Sequence, residues 1–165
     1  MHRLVIVRHG KAQRESPSGH DTDRDLKPRG ERQAQWLGET LGAETPQIGR
    51  IVASSAVRAR RTAEILAGAI GLGVEYDDRL LVDRPLVALA DLLEEAIEDG
   101  SWGDGALALV GHNMQLDDAI GLLTSGFGAT GPGLRTGMAA IMDIDPAGIV
   151  GSARNLRLLR LDEDD

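Results

Sequence analysis

Near the start of the chain four apolar residues, Leu4-Val5-Ile6-Val7, follow one another without a polar interruption and stop at Arg8-His9-Gly10. An apolar run this short and without alternation predicts a strand covered on both faces. Similar stretches recur at Ile48–Ala53, which ends in Ser54-Ser55, and at Ala106–Val110, which ends in Gly111-His112-Asn113. Between them the apolar period changes to that of a helix. Ala34, Leu37 and Leu41 form one stripe in a helix opened by Pro28 and running to about Gly42, and Ala59, Ala63, Leu66 and Ile70 form another, closed by Gly71 and Gly73. Leu86, Leu89, Leu93 and Ile97 mark a third helix after Pro85, and a fourth, starting near Asn113, carries Met114, Ile120 and Leu123. A short strand is expected around Val74–Tyr76. The last two strands are expected at Met138–Ile144 and Ile149–Leu161, joined by the turn Asp145-Pro146-Ala147-Gly148.

Strand and helix in alternation predict an α/β fold, a three-layer α/β/α sandwich with a mainly parallel sheet. His9, Arg58 and His112 then lie at the carboxyl ends of three strands, each close to a helix start. In an open α/β sheet that rim is where ligands bind, and helix amino termini there favour anions. Singly, each residue has an ordinary reading: an exposed Arg-His pair, a solvated helix arginine, a satisfied histidine. Jointly, with Arg8, they describe a phosphate site. Guanidinium groups supply forked donors to phosphoryl oxygens, an imidazole can attack phosphorus or move a proton, and Gly10 lets the backbone turn close to the ligand.

Composition narrows the function classes. The chain has 165 residues, 42% hydrophobic and 27% charged, which fits one domain, taken as residues 1–161, with 162–165 an acidic tail. Only Trp36, Tyr76, Trp102 and Phe127 are aromatic, so the core is aliphatic and stacking on nucleic-acid bases has little support. A net charge of -8 argues against nucleic acid or an anionic membrane as partner. The absence of cysteine excludes disulfides and thiol catalysis and suits a reducing compartment. No run reaches membrane-spanning length and the opening apolar stretch is too short for a signal segment, so a cytoplasmic location is expected.

Four segments carry a resemblance to a known family: Leu4-Val5-Ile6-Val7-Arg8-His9-Gly10-Lys11-Ala12, Asp25-Leu26-Lys27-Pro28-Arg29-Gly30-Glu31-Arg32-Gln33-Ala34, Ser54-Ser55-Ala56-Val57-Arg58-Ala59-Arg60-Arg61-Thr62-Ala63 and Val110-Gly111-His112-Asn113. In this order and over almost the whole chain they resemble the histidine phosphatase superfamily, in its short SixA-like phosphohistidine phosphatase branch. The departures are Arg61 where the family often has glutamine, Met114 where proline commonly follows, and Pro28 within the usual Leu-Thr-x-x-Gly spelling. The resemblance implies a phosphoglycerate mutase-like fold, a mixed sheet with one antiparallel strand. It also implies that Arg8, His9, Arg58 and His112 form the catalytic core, that His9 becomes a phosphohistidine, and that no cofactor is needed. His9 and His112 as metal ligands are the weaker reading, since Arg8 and Arg58 would repel a dication and no paired-histidine zinc spacing is present.

The proton for the leaving group is less clearly assigned. Leu80-Leu81-Val82-Asp83-Arg84-Pro85 offers Asp83 as a general acid where larger family members supply a glutamate, and Asp21, Asp23 and Asp25 in the polar loop Lys11–Lys27 are rivals. Each also reads as a solvated loop carboxylate. A weak acid matters little when imidazole leaves, because phosphoimidazole takes a proton from solvent near neutral pH. The first expectation is therefore phosphohistidine on a protein. The alternatives are a phosphatase or mutase for a small phosphate ester, and a phosphate-binding regulatory module without catalysis. Two further signals are rejected: Gly126-Phe127-Gly128-Ala129-Thr130-Gly131 follows a helix instead of a strand, so it is no dinucleotide fingerprint, and His2 and His20 are read as exposed.

Overall fold

The structure, a computed structural model, describes residues 1–162. It contains one six-stranded sheet of strands β1 (His2–Arg8), β2 (Ile48–Ala53), β3 (Glu75–Tyr76), β4 (Ala106–Gly111), β5 (Ala139–Ile144) and β6 (Arg154–Leu159). Four α-helices accompany it: α1 (Pro28–Leu41), α2 (Val57–Ile70), α3 (Leu86–Glu98) and α4 (Gln115–Ser125). The sheet order is β3-β2-β4-β1-β5-β6. Parallel pairing joins β1 to β4, β4 to β2 and β2 to β3, whereas β5 runs antiparallel to both β1 and β6. One strand is thus reversed, as the resemblance implies.

Alternate residues of β1 explain its uninterrupted apolar run. Leu4 and Ile6 join Leu89, Leu93, Leu116 and Ile120 in the core under α3 and α4, while Val5 and Val7 join Leu37, Leu41, Ala63 and Leu66 under α1 and α2. Both faces of the strand are buried, so neither has room for a polar residue. Pro28 occupies the first turn of α1, where its missing N–H costs nothing, and Gly71 closes α2 at φ 89°.

Three expectations are corrected. The last strand is Arg154–Leu159, not Ile149–Leu161, because the preceding amides bond the end of α4: Gly151 N–H donates to Leu122 O and Ala153 N–H to Leu123 O. Helix α4 starts at Gln115, and Met114 just before it points to solvent instead of joining the apolar stripe. His2 is half-buried, edge-on to the buried ring of Trp102 with ring centroids 5.0 Å apart, whereas His20 is exposed as expected. Of the acidic tail, Asp162 is exposed and residues 163–165 lie outside the described residues. Among the described residues no helix is long and apolar enough to cross a membrane.

Candidate active site

Two central strands and one helix deliver the site. β1 and β4 are adjacent and parallel, with Arg8 opposite Gly111, so His9 and His112 leave the sheet side by side with ring centroids 5.1 Å apart. Arg58 lies in the first turn of α2, just after β2, and is almost fully buried. Together with Arg8, Lys11, Ala12, Arg24, Val82, Asn113 and Thr136, these three line a cavity of about 250 Å³. The four residues singled out in the sequence meet there.

Close backbone approach fixes the turn after His9. A side chain on Gly10 would strike Gly30 O, and one on Gly30 would strike Lys11 O, so the two glycines let the start of α1 press against the turn. Thr62 Oγ1 accepts from Gly10 N–H at 3.0 Å and donates to Arg58 O, and Gln33 Oε1 accepts from Lys11 N–H at 2.9 Å. His9 Nδ1 donates to Gly10 O at 2.8 Å, which leaves the lone pair on Nε2. Burial, aided by Arg58 and Arg8, pushes the His9 pKa down to about 4. The ring is therefore neutral at pH 7.

His112 is oriented from the other side. Ser54 Oγ accepts from Ala56 N–H at 3.2 Å and lies 2.8 Å from His112 Nε2; with no other acceptor for the hydroxyl proton among the described residues, the proton is assigned to that bond, which puts the ring proton of His112 on Nδ1. Burial and the neighbouring His9 and Arg58 push its pKa down to about 3. Arg8 Nη1 donates to Leu134 O at 2.7 Å, and that loop is held by the buried Asp117, which accepts from the Gly133 and Leu134 amides and from Asn113 Nδ2. Asp117 thus positions Arg8 through this loop and does not itself line the cavity. Burial lowers the Arg8 pKa, opposed by Asp117.

Four buried side-chain polar atoms among the described residues have no hydrogen-bond partner: Arg8 Nε, Arg58 Nε, His112 Nδ1 and Gln115 Oε1. Three are N–H donors, and all three belong to residues lining this cavity. Unpaired buried donors cost free energy, so their concentration in residues lining this cavity sets it apart from the rest of the described fold.

The candidate acids fall elsewhere. Asp83 is exposed and does not line the cavity, although Val82 beside it does; its φ of 65° is unusual for a residue with a side chain. Asp21 accepts from Arg58 Nη2 at 3.0 Å and from Arg24, and its pKa is lowered by these guanidinium groups despite some desolvation. Asp25 is likewise lowered by Arg61, which also reaches Glu31. Arg61 therefore ties the polar loop to α2, which explains an arginine at that position. Asp23 accepts from Ser18 Oγ on the surface. Among the described residues no three His, Asp or Glu side chains are grouped to hold a metal ion.

Sequence reading missed Ser54, Thr62 and Asp117. Their signal was polarity at buried positions, which only the fold reveals.

Residues 4–81 match the model of the histidine phosphatase superfamily, branch 1. That match spans just under half of the chain. Its sequence is 42% identical over 82 residues to the protein named probable phosphoglycerate mutase GpmB of Citrobacter koseri, and 38% identical over 82 residues to the one of the same name from Salmonella choleraesuis. The first match covers 48% of this chain and only 37% of that protein, and the second has the same coverage. The fold is similar to that of the protein histidine phosphatase SixA solved with tungstate, at TM-score 0.79 and 20% identity over 92% of both chains. It is also similar to a mycobacterial glucosyl-3-phosphoglycerate phosphatase solved with VO3, at TM-score 0.67 and 20% identity, covering 99% of this chain and 100% of that one.

Proposed function

We propose that this chain is a member of the histidine phosphatase superfamily and hydrolyses phosphoryl groups through a covalent phosphohistidine at His9, with phosphohistidine on a protein as its preferred substrate. The observation that carries this reading is the set of three unpartnered buried donors, Arg8 Nε, Arg58 Nε and His112 Nδ1, around the cavity of His9. His9 Nε2, neutral and with its lone pair free, attacks phosphorus, and the bond to the leaving group breaks with its electron pair departing on the leaving atom. Arg8, Arg58 and His112 donate to the non-bridging oxygens, where positioning and charge stabilisation supply most of the rate. Water then attacks phosphorus, the P–N bond breaks, and His9 Nε2 recovers its lone pair as phosphate leaves. Asp21 already holds Arg58 Nη2, so it sets the guanidinium plane before substrate arrives.

Among the described residues no carboxylate lines the cavity, which favours a leaving group that needs no proton from the protein. Imidazole is such a group. Similarity to the protein histidine phosphatase SixA along most of both chains supports the same choice. The second reading, a phosphatase or mutase for a small phosphate ester, is favoured by the sequence match to proteins named as phosphoglycerate mutases. Parallel turnover assays on a phosphohistidine peptide and a panel of alkyl and aryl phosphates decide between them. Faster turnover of the peptide, with acid-labile phosphate trapped on His9, is expected; preference for alkyl esters would establish the second reading.

A further inference from the structure

A second cavity, of about 150 Å³, adjoins the first and shares Lys11 and Thr136 with it. Its wall is completed by Arg29, Gln33, Arg135 and Arg160. Four cationic residues line it, and among the described residues no carboxylate does, in a chain whose net charge is -8. Several arginines of this molecule are neutralised: Arg3 by Asp143, Arg50 by Glu75, Arg79 by Asp77 and Glu95, Arg157 by Glu44. Among the described residues no carboxylate pairs with Lys11, Arg135 or Arg160.

These cations come from separate segments that the backbone holds in place. Lys11 is anchored through its amide to Gln33, Arg135 lies in the turn closed by Met138 N–H on Arg135 O, and Arg160 follows β6 directly. Gly137, two residues after Arg135, donates its N–H to His9 O at 2.8 Å, which ties this turn to the nucleophile's own backbone. The like charges of Lys11, Arg135 and Arg160, gathered without counter-ions among the described residues, raise the local potential and cost stability, a cost that an anion in the cavity would remove.

We propose that this basic cavity is a second anion subsite, which takes a carboxylate or second phosphate carried by the substrate beside the phosphoryl group that is transferred. The inference rests on the proposed phosphoryl transfer at His9 for its meaning as substrate selection. Lys11, on both cavity walls, bridges the two anions, while Arg135 and Arg160 touch only the second. The subsite accordingly acts on substrate binding and leaves the reacting atoms alone.

The test uses the full chain, whose own acidic residues 162–165 are present throughout, and the double variant Arg135→Gln with Arg160→Gln. Both side chains are exposed and neither carries a hydrogen bond to the rest of the fold, so the variant should melt with the native protein. Two matched substrate pairs are compared: phosphohistidine peptides with glutamate or glutamine beside the phosphorylated residue, and carboxyphenyl phosphate against phenyl phosphate. For the doubly anionic member the variant should raise KM about fivefold with kcat unchanged, the scale of two screened charges, and for the singly anionic member it should change neither. A shift in the peptide pair alone assigns the second anion to a protein substrate, a shift in the aryl pair alone to a small molecule, and a shift in both to charge recognition irrespective of source. An unchanged KM in both pairs overturns the subsite. Calorimetry with phosphate, pyrophosphate and tripolyphosphate reads the subsite without turnover. The native protein should bind the longer anions more tightly than phosphate, and the variant should lose that advantage; equal ratios in both proteins overturn the proposal even if no substrate is hydrolysed. Absence of turnover with the anion preference intact would instead refute the transfer reading alone.

Discussion

Two cavities of similar size sit at opposite ends of β1. The one at its carboxyl end, about 250 Å³, is lined by Arg8, His9, Arg58 and His112; the one at its amino end, about 220 Å³, is lined by His2, Arg3, Pro46, Asp104 and Asp143 among others. Both contain histidine and arginine. At the amino end Arg3 Nε donates to Asp143 at 2.6 Å, its Nη1 reaches Thr45 O, and Trp102 Nε1 is spent on Arg3 O. At the carboxyl end three buried donors have no partner, and both histidines are held far below their usual pKa. A depression shaped like a pocket is common to both ends. Unmet hydrogen-bonding capacity is found at one.

The largest expected break in this contrast comes from His9→Ala, which should remove turnover by a factor on the order of a thousand or more while the fold survives, measured by steady-state assay beside a thermal melt. Substantial activity in this variant would refute the nucleophile. Next in size are Arg58→Ala and His112→Ala, each expected to lower kcat on the order of a hundredfold, as for other preorganised donors. Arg3→Ala at the opposite end should leave kcat intact and instead cost about 1–2 kcal/mol of stability, since it strips a partly buried carboxylate of its partner. Equal kinetic losses from both ends would erase the distinction.

Titration sharpens the contrast further. His9 and His112 should show NMR midpoints near 4 and 3, set chiefly by burial. Both folded values lie below the ordinary 6.5, so the unfolded chain binds protons that the native state refuses. Stability from this source is full above about pH 6.5 and declines as the pH falls towards 4 and then 3. Midpoints near 6.5 would mean that the cavity is wet and the donors are solvated. The smallest expected effect belongs to Asp83→Asn, which should change phosphohistidine hydrolysis by less than about twofold, because the departing imidazole draws its proton from solvent. A large loss would show the loop bringing that carboxylate over the site.

Much of this site is legible in the sequence because its chemistry sits where apolar runs stop. Leu4–Val7 and Ala106–Val110 announce strands, and the residues that follow a buried strand must emerge at its rim. Arg58 is legible for the same reason, one short step after β2. The positioning residues are not. Ser54, Thr62 and Asp117 act across 58, 52 and 16 residues of chain, through bonds to His112, Gly10 and Gly133, and nothing local distinguishes them from surface polar groups. Asp83 is hard to read for the opposite reason: it stands at the expected place in the chain, but the direction of its side chain depends on a positive φ that spacing does not encode. The error at Ile149–Leu161 has a similar source, since amides that bond a helix end and amides that bond a neighbouring strand read alike in one dimension.

The central placement of β1 and β4 has a consequence for hydrogen exchange. Their amides are covered by helices on both faces and paired on both edges, so they can open only when the sheet itself comes apart. His9 N–H, bonded to Gly111 O, belongs to that slow set. The segment around Asp21 and Arg24, joined to α2 only through the side chains of Arg58 and Arg61, can lift by a local fluctuation. Phosphate binding should therefore slow exchange near Asp21 first and reach the His9 amide only through the stability of the whole chain: the nucleophile is fixed to the least fluctuating part of the molecule, and its entrance to the most.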